Sequence, residues 1–334
     1  MKDARLLVRV LADPAVPVAR AAWTGLLAVA RAESLIGTLA ERLSGREVPE
    51  SVSAILAAAR QDAVQAQTQA LWEAEMARRA LAPAGIPVIL LKGTAYAAAG
   101  LSASFGRTIG DLDILVPQAA LPEAERQLLA AGWEWVKEDA YDDTYYRRWM
   151  HELPPLIHRE RDRMIDVHHT ILPLTARVRP DAEALVANSV ALESGVRTLS
   201  PEDMLLHCAA HLFADGDLAG GLRNLWDIRC LAADFGNAPG FWPRLAERAH
   251  KHGLEAAAAR ALRLAAKLYG ARVDPAFVGR PAATDWLFER RLLARNGWGQ
   301  PTRRPLRAGF YIRSHWMRMP PMMLARHLWT KARR

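Results

Sequence analysis

The segment from Arg107 to Val116 (RTIGDLDILV) constrains the fold of this chain more than any other. Asp111 and Asp113 are two positions apart and lead into an apolar, β-branched run, which is typical of a short strand. Because side chains alternate along a strand, both carboxylates are expected on the same face. Two such groups repel each other unless a cation lies between them, and Mg²⁺ prefers oxygen ligands. Asp-x-Asp alone is also common in turns and on exposed strand faces, so its surroundings decide the interpretation.

The charge of the chain is unevenly distributed. The 334 residues carry a formal net charge of +8, yet residues 290–334 contain 12 Lys or Arg and no Asp or Glu. The remainder has 32 basic and 36 acidic residues, so the charge does not favour nucleic-acid binding by the body of the protein. Hydrophobic residues make up 51% of the chain, which excludes a disordered protein.

The sequence predicts a cytoplasmic protein. Charges interrupt every apolar stretch of the first twenty residues, so we expect no signal peptide. No apolar run reaches the ~18 uncharged residues of a membrane-spanning helix. Cys208 and Cys230 lie in helical, apolar segments and are expected to be buried free thiols in a reducing compartment.

The hydrophobic pattern divides the chain into four segments. Residues 1–82 predict a helical N-terminal segment, and residues 83–199 predict an α+β core with a small mixed β-sheet. Residues 200–289 predict a helical C-terminal region that begins with Ser200 as N-cap, and residues 290–334 form a basic amphipathic tail. Strands are expected near residues 86–91, 111–116, 133–137, 156–159 and 163–168, and helices near 52–81, 95–101, 121–131, 218–235, 242–252 and 254–269.

A third carboxylate and a glycine turn strengthen the case for a metal and phosphate site. Asp166 alternates with apolar neighbours in Met164–His168, so it is expected to point to one face of a second strand. Three carboxylates are the usual minimum for holding two metal ions in phosphoryl transfer. Lys92-Gly93-Thr94 follows a buried strand and begins a helix, where backbone amides, a hydroxyl and a lysine suit phosphate. Arg107 is predicted either to contact phosphate or to pair with an aspartate.

Together these residues resemble a known family. The pattern LLKGTAY, R-x-x-GDLDILV, a following Gly-Trp and IDVHH is similar to the bacterial nucleotidyltransferase family proteins, a divergent branch of the DNA-polymerase-β-like superfamily. The resemblance covers roughly residues 80–235. It implies an α+β fold in which a mixed sheet carries helices on one side and is followed by a helical region.

The resemblance also implies roles for individual residues. Asp111 and Asp113 become metal ligands that orient the nucleotide, and Asp166 becomes the third ligand, on the metal that activates the acceptor. Gly93 and Thr94 take the place of the family's Gly-Ser pair, although threonine replaces serine and lysine precedes the glycine. The implied cofactor is Mg²⁺ or Mn²⁺, and the implied substrate is a nucleoside triphosphate.

The implied activity is Mg²⁺-dependent transfer of a nucleoside monophosphate to a hydroxyl or phosphate of a small molecule, sugar or peptide. Two alternatives stay open. The unusual Lys-Gly-Thr turn is compatible with a catalytically inactive binding or regulatory protein. An antitoxin-like or toxin-partner enzyme would modify a protein or tRNA, and the near-neutral body argues against tRNA.

Two further features have more than one interpretation. His207 and His211 are four residues apart on one helical face, a spacing that zinc can use, but the pattern favours a packed or substrate-facing pair. With His168 and Asp227, they are candidates for the substrate side of the site. The basic tail could lie on an anionic membrane surface, contact nucleic acid, or pack on the body. Its amphipathic pattern favours packing or a partner contact over the membrane surface.

Overall fold

The structure is a computed structural model and describes residues 4–137, 146–320, 322 and 324. The N-terminal segment is helical, as predicted. Its four α-helices are α1 (Arg5–Ala12), α2 (Trp23–Ala32), α3 (Ile36–Arg42) and α4 (Glu50–Leu81). The long helix α4 follows Pro49 and buries small side chains at helical spacing, among them Ala63, Ala70 and Ala77.

One mixed seven-stranded sheet forms the centre of the α+β core. Its strands are β1 (Ile89–Leu90), β2 (Leu112–Leu115), β3 (Trp133–Trp135), β4 (Leu156–His158), β5 (Met164–His168), β6 (Val190–Ala191) and β7 (Arg197–Thr198). The spatial order is β3-β4-β5-β2-β1-β7-β6. Strand β2 pairs with β5 in parallel, and β1 pairs with β7 in parallel, whereas the other neighbours are antiparallel. The fold class is therefore the predicted one.

Helices flank the sheet in sequence and build the C-terminal region. Within the core, α5 (Lys92–Ala98) follows β1, α6 (Leu121–Ala130) follows β2, and α7 (Ala182–Ala187) precedes β6, with a helical turn at 146–149. The C-terminal region contains α8 (Pro201–Ala210), the π-helix His211–Asp215, α9 (Gly221–Phe235), α10 (Phe241–His252), α11 (Glu255–Tyr269), α12 (Pro275–Val278), α13 (Asp285–Leu292) and α14 (Arg304–Arg318).

Capping residues and hydrophobic patterns in the sequence predicted most of these helices and strands correctly. Ser200 caps α8 as predicted, because its Oγ accepts a hydrogen bond from the Asp203 amide at 3.2 Å. The turn at Lys92 belongs to helix α5, which begins three residues earlier than expected. The two-residue strands β6 and β7 were not predicted, because so short a run carries no readable alternation.

A continuous cluster of buried side chains connects the segments, from α1 through the sheet to α14. Cys208 and Cys230 are buried free thiols, as expected. In the described part of the basic tail, α14 packs on the body, where Arg313 donates to the Phe213 carbonyl and Arg177 donates to the Trp316 carbonyl. Residues 321, 323 and 325–334 of the tail lie outside the described part. Among the described helices, none combines the length and apolar character needed to span a bilayer.

Candidate functional site

Two carboxylates meet at the centre of the sheet. Asp113 of β2 and Asp166 of β5 are direct partners in the register of the parallel pair, so their side chains share one face. Asp113 is buried among the neighbouring strands, whereas Asp166 is half-buried. Asp111 immediately precedes β2 and is exposed. The two strand-borne aspartates that the sequence indicated therefore lie side by side.

Asp113 is held by two nitrogen donors. Its Oδ1 accepts a hydrogen bond from Lys92 Nζ at 2.6 Å and another from His168 Nε2 at 3.0 Å. Burial alone would raise the pKa of Asp113, but His168 and Lys92 outweigh it and hold the pKa below its ordinary value. Burial likewise lowers the pKa of Lys92, and the charge of Asp113 more than compensates and leaves it raised. The carboxylate and the ammonium group are both charged at neutral pH.

Asp166 has the opposite electrostatic environment. Burial raises its pKa to about 6, and the negative charges of Asp113 and Glu152 add to the rise. His168 and Lys92 counteract it only in part. The sheet face thus concentrates more negative charge than its own cations neutralise. Such a surplus is the condition under which carboxylates bind a divalent cation.

The turn between β1 and α5 brings Lys92 to this face. The Leu91 amide donates to the Asp113 carbonyl at 3.0 Å, which extends the β1–β2 pairing up to the turn. Lys92 then adopts a left-handed backbone conformation with φ of 48°, which residues other than glycine adopt rarely. Thr94 is buried in the first turn of α5. The strained residue is therefore the one whose ammonium group contacts Asp113.

Gly93 makes room for an arginine. A Cβ at Gly93 would lie 2.5 Å from Arg107 Nε. The guanidinium of Arg107 forms an ion pair with Asp227 and lies 5.6 Å from the ring centre of Tyr96. Of the two roles predicted for Arg107, the structure contains the pairing with an aspartate.

Asp227 belongs to a buried network behind the turn. Its Oδ1 accepts from Arg223 at 2.9 Å, and Arg223 also donates to Thr38 Oγ1 at 2.6 Å. The network therefore ties the loop before β2 to α9 and to α3. Asp227 was a candidate for the substrate side, and both of its carboxylate oxygens are engaged by arginines here.

His207 of α8 and His211 of the π-helix are influenced by the charges of Lys92 and Asp113. Burial lowers the pKa of His207 well below its ordinary value, and the charge of Lys92 adds to this effect. The imidazole of His207 is thus neutral, and the positive charge of Lys92 disfavours its protonation. His211 begins the π-helix one turn later and is exposed. A π-helical turn is frequent at functional sites.

Two further residues belong to this site and were not predicted from the sequence, His151 and Glu152. The Leu153 amide donates to the Val167 carbonyl and the His169 amide to the His151 carbonyl, both at 2.9 Å, so this segment runs antiparallel beside β5. Glu152 thereby becomes the bridge partner of His168. Burial lowers the pKa of His151 to about 2, and His168 and Lys92 add to the decrease. The adjacent His-Glu pair was the available sequence signal, but only the backbone register reveals its partner.

The donor set on the sheet fits a Mg²⁺-type cation. Asp113 and Asp166 are neighbours and Asp111 is exposed beside them, so carboxylate oxygens predominate. A lysine ammonium already lies against Asp113, which shows that this face attracts positive charge.

Comparison with known proteins gives one family. The model of the family described as "Uncharacterised nucleotidyltransferase" matches residues 19–270, which include the sheet, the turn at Lys92 and helices α8 to α11. No curated protein matches the chain.

Proposed function

The chain belongs to the nucleotidyltransferase family whose model it matches, and we propose that it is a Mg²⁺-dependent nucleotidyltransferase. The proposed reaction transfers a nucleoside monophosphate from a nucleoside triphosphate to a hydroxyl or phosphate of a small molecule, sugar or peptide. The observation that carries this proposal is the pairing of Asp113 with Asp166 on neighbouring parallel strands. The same pairing supports assignment to the polymerase-β-like branch. The buried free thiols of Cys208 and Cys230 support a reducing compartment, and we assign the protein to the cytoplasm.

Three carboxylates would hold two metal ions in a two-metal mechanism. Asp113 and Asp166 are neighbours on the sheet, and Asp111 adds a third carboxylate at the start of β2. When bound, Mg²⁺ or Mn²⁺ supplies positive charge to the triphosphate and acidity to the acceptor hydroxyl. The surplus negative charge around Asp166 supports this assignment.

Lys92 is the residue that we assign to the phosphates. Its side chain is 33% exposed although its ammonium group contacts Asp113. The flexible stem of a lysine allows the ammonium group to exchange a carboxylate for a phosphate oxygen. Gly93 and Thr94 continue the same turn. Lys92 thus neutralises Asp113 in the free protein and binds the triphosphate in the complex.

Asp166 is the residue that we assign to proton transfer. Without a bound metal its pKa is about 6, so Asp166 is the more basic carboxylate of the pair, and we assign it to accept the proton of the acceptor hydroxyl. We assign His207 and His211 to the acceptor side, because the charges of Lys92 and Asp113 both influence the pKa of His207 and of His211.

The test compares isosteric variants. Full-length protein is incubated with Mg²⁺ and each of the four labelled nucleoside triphosphates in a cell extract, and label transfer to an acceptor is measured. Asp113→Asn and Asp166→Asn are expected to lose at least about 100-fold in transfer rate while keeping the fold, because each removes a charge that a metal ligand needs. Asp62→Asn changes an exposed carboxyl on α4 and should leave transfer unchanged. Full transfer by Asp113→Asn would contradict the proposal.

A second candidate is a nucleotide-binding protein without transferase activity. It is favoured by the 2.6 Å contact between Lys92 and Asp113, in which a lysine already supplies a positive charge to the carboxylates. This candidate predicts nucleotide binding that needs no Mg²⁺ and no label transfer with any of the four triphosphates. Equilibrium binding with and without Mg²⁺ distinguishes the two functions.

A further inference from the structure

Three metal-binding side chains converge beside the carboxylate pair. His151, Glu152 and His168 each offer a ligand atom, and these atoms lie within 4.8 Å of one another. Glu152 Oε2 is 3.3 Å from His168 Nδ1 and 3.8 Å from His151 Nε2. The two imidazole rings lie 5.1 Å apart, centre to centre. The three residues come from two segments that the sheet register brings together.

The hydrogen bond between His168 and Asp113 decides which nitrogen of the His168 ring faces Glu152. An ionised carboxylate only accepts, so Nε2 of His168 carries the proton that it donates to Asp113 Oδ1. The other ring nitrogen, Nδ1, lies 3.3 Å from the carboxylate of Glu152. A cation between these two atoms could be bound by both.

The nitrogen of His168 that faces Glu152 is buried and has no hydrogen bond within the described part of the chain. His168 is 2% exposed. Within residues 4–137, 146–320, 322 and 324, Nδ1 of His168 makes no hydrogen bond, and Nε2 is the ring nitrogen of His151 that lies nearest Glu152. Buried polar atoms without partners are rare in folded proteins and call for a specific explanation, such as an ion.

We propose that His151, Glu152 and His168 bind one divalent transition-metal ion of the Zn²⁺ class. Two imidazoles and one carboxylate are the ligand set of open zinc sites, which keep a further position for water or substrate, whereas Mg²⁺ prefers oxygen. Asp113 accepts a hydrogen bond from Nε2 of His168, the ring nitrogen that does not face Glu152. Carboxylates commonly accept such a bond from histidines that bind a metal through their other nitrogen. The site is distinct from the carboxylates proposed for Mg²⁺ and does not depend on the proposed transfer reaction.

The test measures zinc bound by the full chain in excess Mg²⁺. Metal-free protein is titrated with Zn²⁺ by calorimetry, and the bound metal is counted by mass spectrometry after gel filtration. We expect one Zn²⁺ per chain. We also expect an affinity loss of about 100-fold or more in His151→Ala and in Glu152→Gln, since even residues behind metal ligands contribute about 10- to 100-fold. Substitution by Co²⁺ should give a visible absorption spectrum that both variants lose.

A matched control separates this site from ordinary histidine–carboxylate pairs. His250 contacts Glu255 at 2.9 Å on the exposed surface, so His250→Ala should bind Zn²⁺ like the unmodified protein. Circular dichroism confirms folding, and Glu152→Gln is the conservative variant should His151→Ala fail to fold. The proposal is overturned if the unmodified protein binds no Zn²⁺ in excess Mg²⁺. It is equally overturned if folded Glu152→Gln keeps full affinity for Zn²⁺. It is also overturned if His207→Ala, which changes a histidine outside the proposed ligand set, removes the metal while His151→Ala and Glu152→Gln do not.

Discussion

Gly93 connects the turn at Lys92 to the buried ion pair behind it. Alanine at this position would place a Cβ 2.5 Å from Arg107 Nε and displace the guanidinium that pairs with Asp227. Because overpacking costs about 1–3 kcal/mol and Asp227 loses a partner, we expect Gly93→Ala to lower the free energy of unfolding by about 2 kcal/mol or more. Urea denaturation measures this change.

Gly110 provides the matched control for that prediction. An added Cβ at Gly110 meets nothing within 4 Å, although it lies in the same loop as Asp111. Gly110→Ala should therefore keep or slightly raise the free energy of unfolding, because alanine restricts the unfolded chain. Equal stability losses in the two variants would show that the contact with Arg107 is unimportant.

At the residue scale, the sequence predicted which side chains share a face of the sheet, because side chains alternate along a strand. The position of Asp113 and Asp166 on two strands follows from period-two patterning, and their direct pairing is visible in the register. The ion pair of Arg107 with Asp227 spans 120 residues, and no local pattern encodes a contact at that separation. Glu152 was missed for a related reason, since its place beside His168 depends on an irregular pairing outside the regular strands.

A buried carboxylate links two helices of the C-terminal region. Asp203 of α8 is fully buried, accepts from Arg248 of α10 at 2.6 and 2.9 Å and lies 3.3 Å from His252. Burial alone would raise the pKa of Asp203, but His252 and Arg248 outweigh it and leave the pKa below its ordinary value. The ionised form is therefore favoured more in the folded than in the unfolded protein.

This shift sets the pH dependence of stability. Because the pKa of Asp203 is lower in the folded protein, its charge stabilises the fold at pH values above the pKa of the unfolded chain, about 3.9. That stabilisation disappears as the pH falls through the pKa of the folded protein. Asp203→Asn leaves Arg248 buried without its counter-charge, so we expect a loss of roughly 3–5 kcal/mol at neutral pH. In urea titrations the difference between the two proteins should shrink below about pH 4. A difference that is constant with pH would contradict this explanation.

An exposed histidine–carboxylate pair is the control for the effect of burial on the free energy of unfolding. Glu255 pairs with His250 on the surface, so Glu255→Gln should cost less than about 1 kcal/mol at any pH.

At the element scale, length decided what the sequence could predict. The amphipathic pattern of α4 extends over 32 residues, and the predicted bounds differ from the observed ones by two residues at the start. Strands β6 and β7 comprise two residues each and depend on pairing with β1 and each other, which is tertiary information. The packing of α14 likewise depends on carbonyl groups such as that of Phe213, which have no sequence signature.

At the scale of the whole molecule, one buried carboxylate joins three distant segments. Glu33 at the end of α2 is 2% exposed and accepts a hydrogen bond from the Leu222 amide at the start of α9 at 3.1 Å. Its other oxygen accepts from Arg295 at 2.7 Å, across 262 residues of sequence. Burial raises the pKa of Glu33, although Arg295 counteracts the rise. Arg295 is thus the main compensation for a costly buried charge.

Arg295→Met should therefore weaken the structure at all three segments together. Removing one partner of a buried pair costs about 3–5 kcal/mol, because the remaining charge is left uncompensated. Hydrogen exchange should accelerate at the end of α2, the start of α9 and the segment around Arg295, whereas Arg31→Ala, an exposed change on α2, should accelerate none of them. The double variant with Glu33→Gln should recover part of the loss, since glutamine still accepts from Leu222 without a charge. Strictly additive losses in this cycle would show that Glu33 and Arg295 stabilise the fold independently.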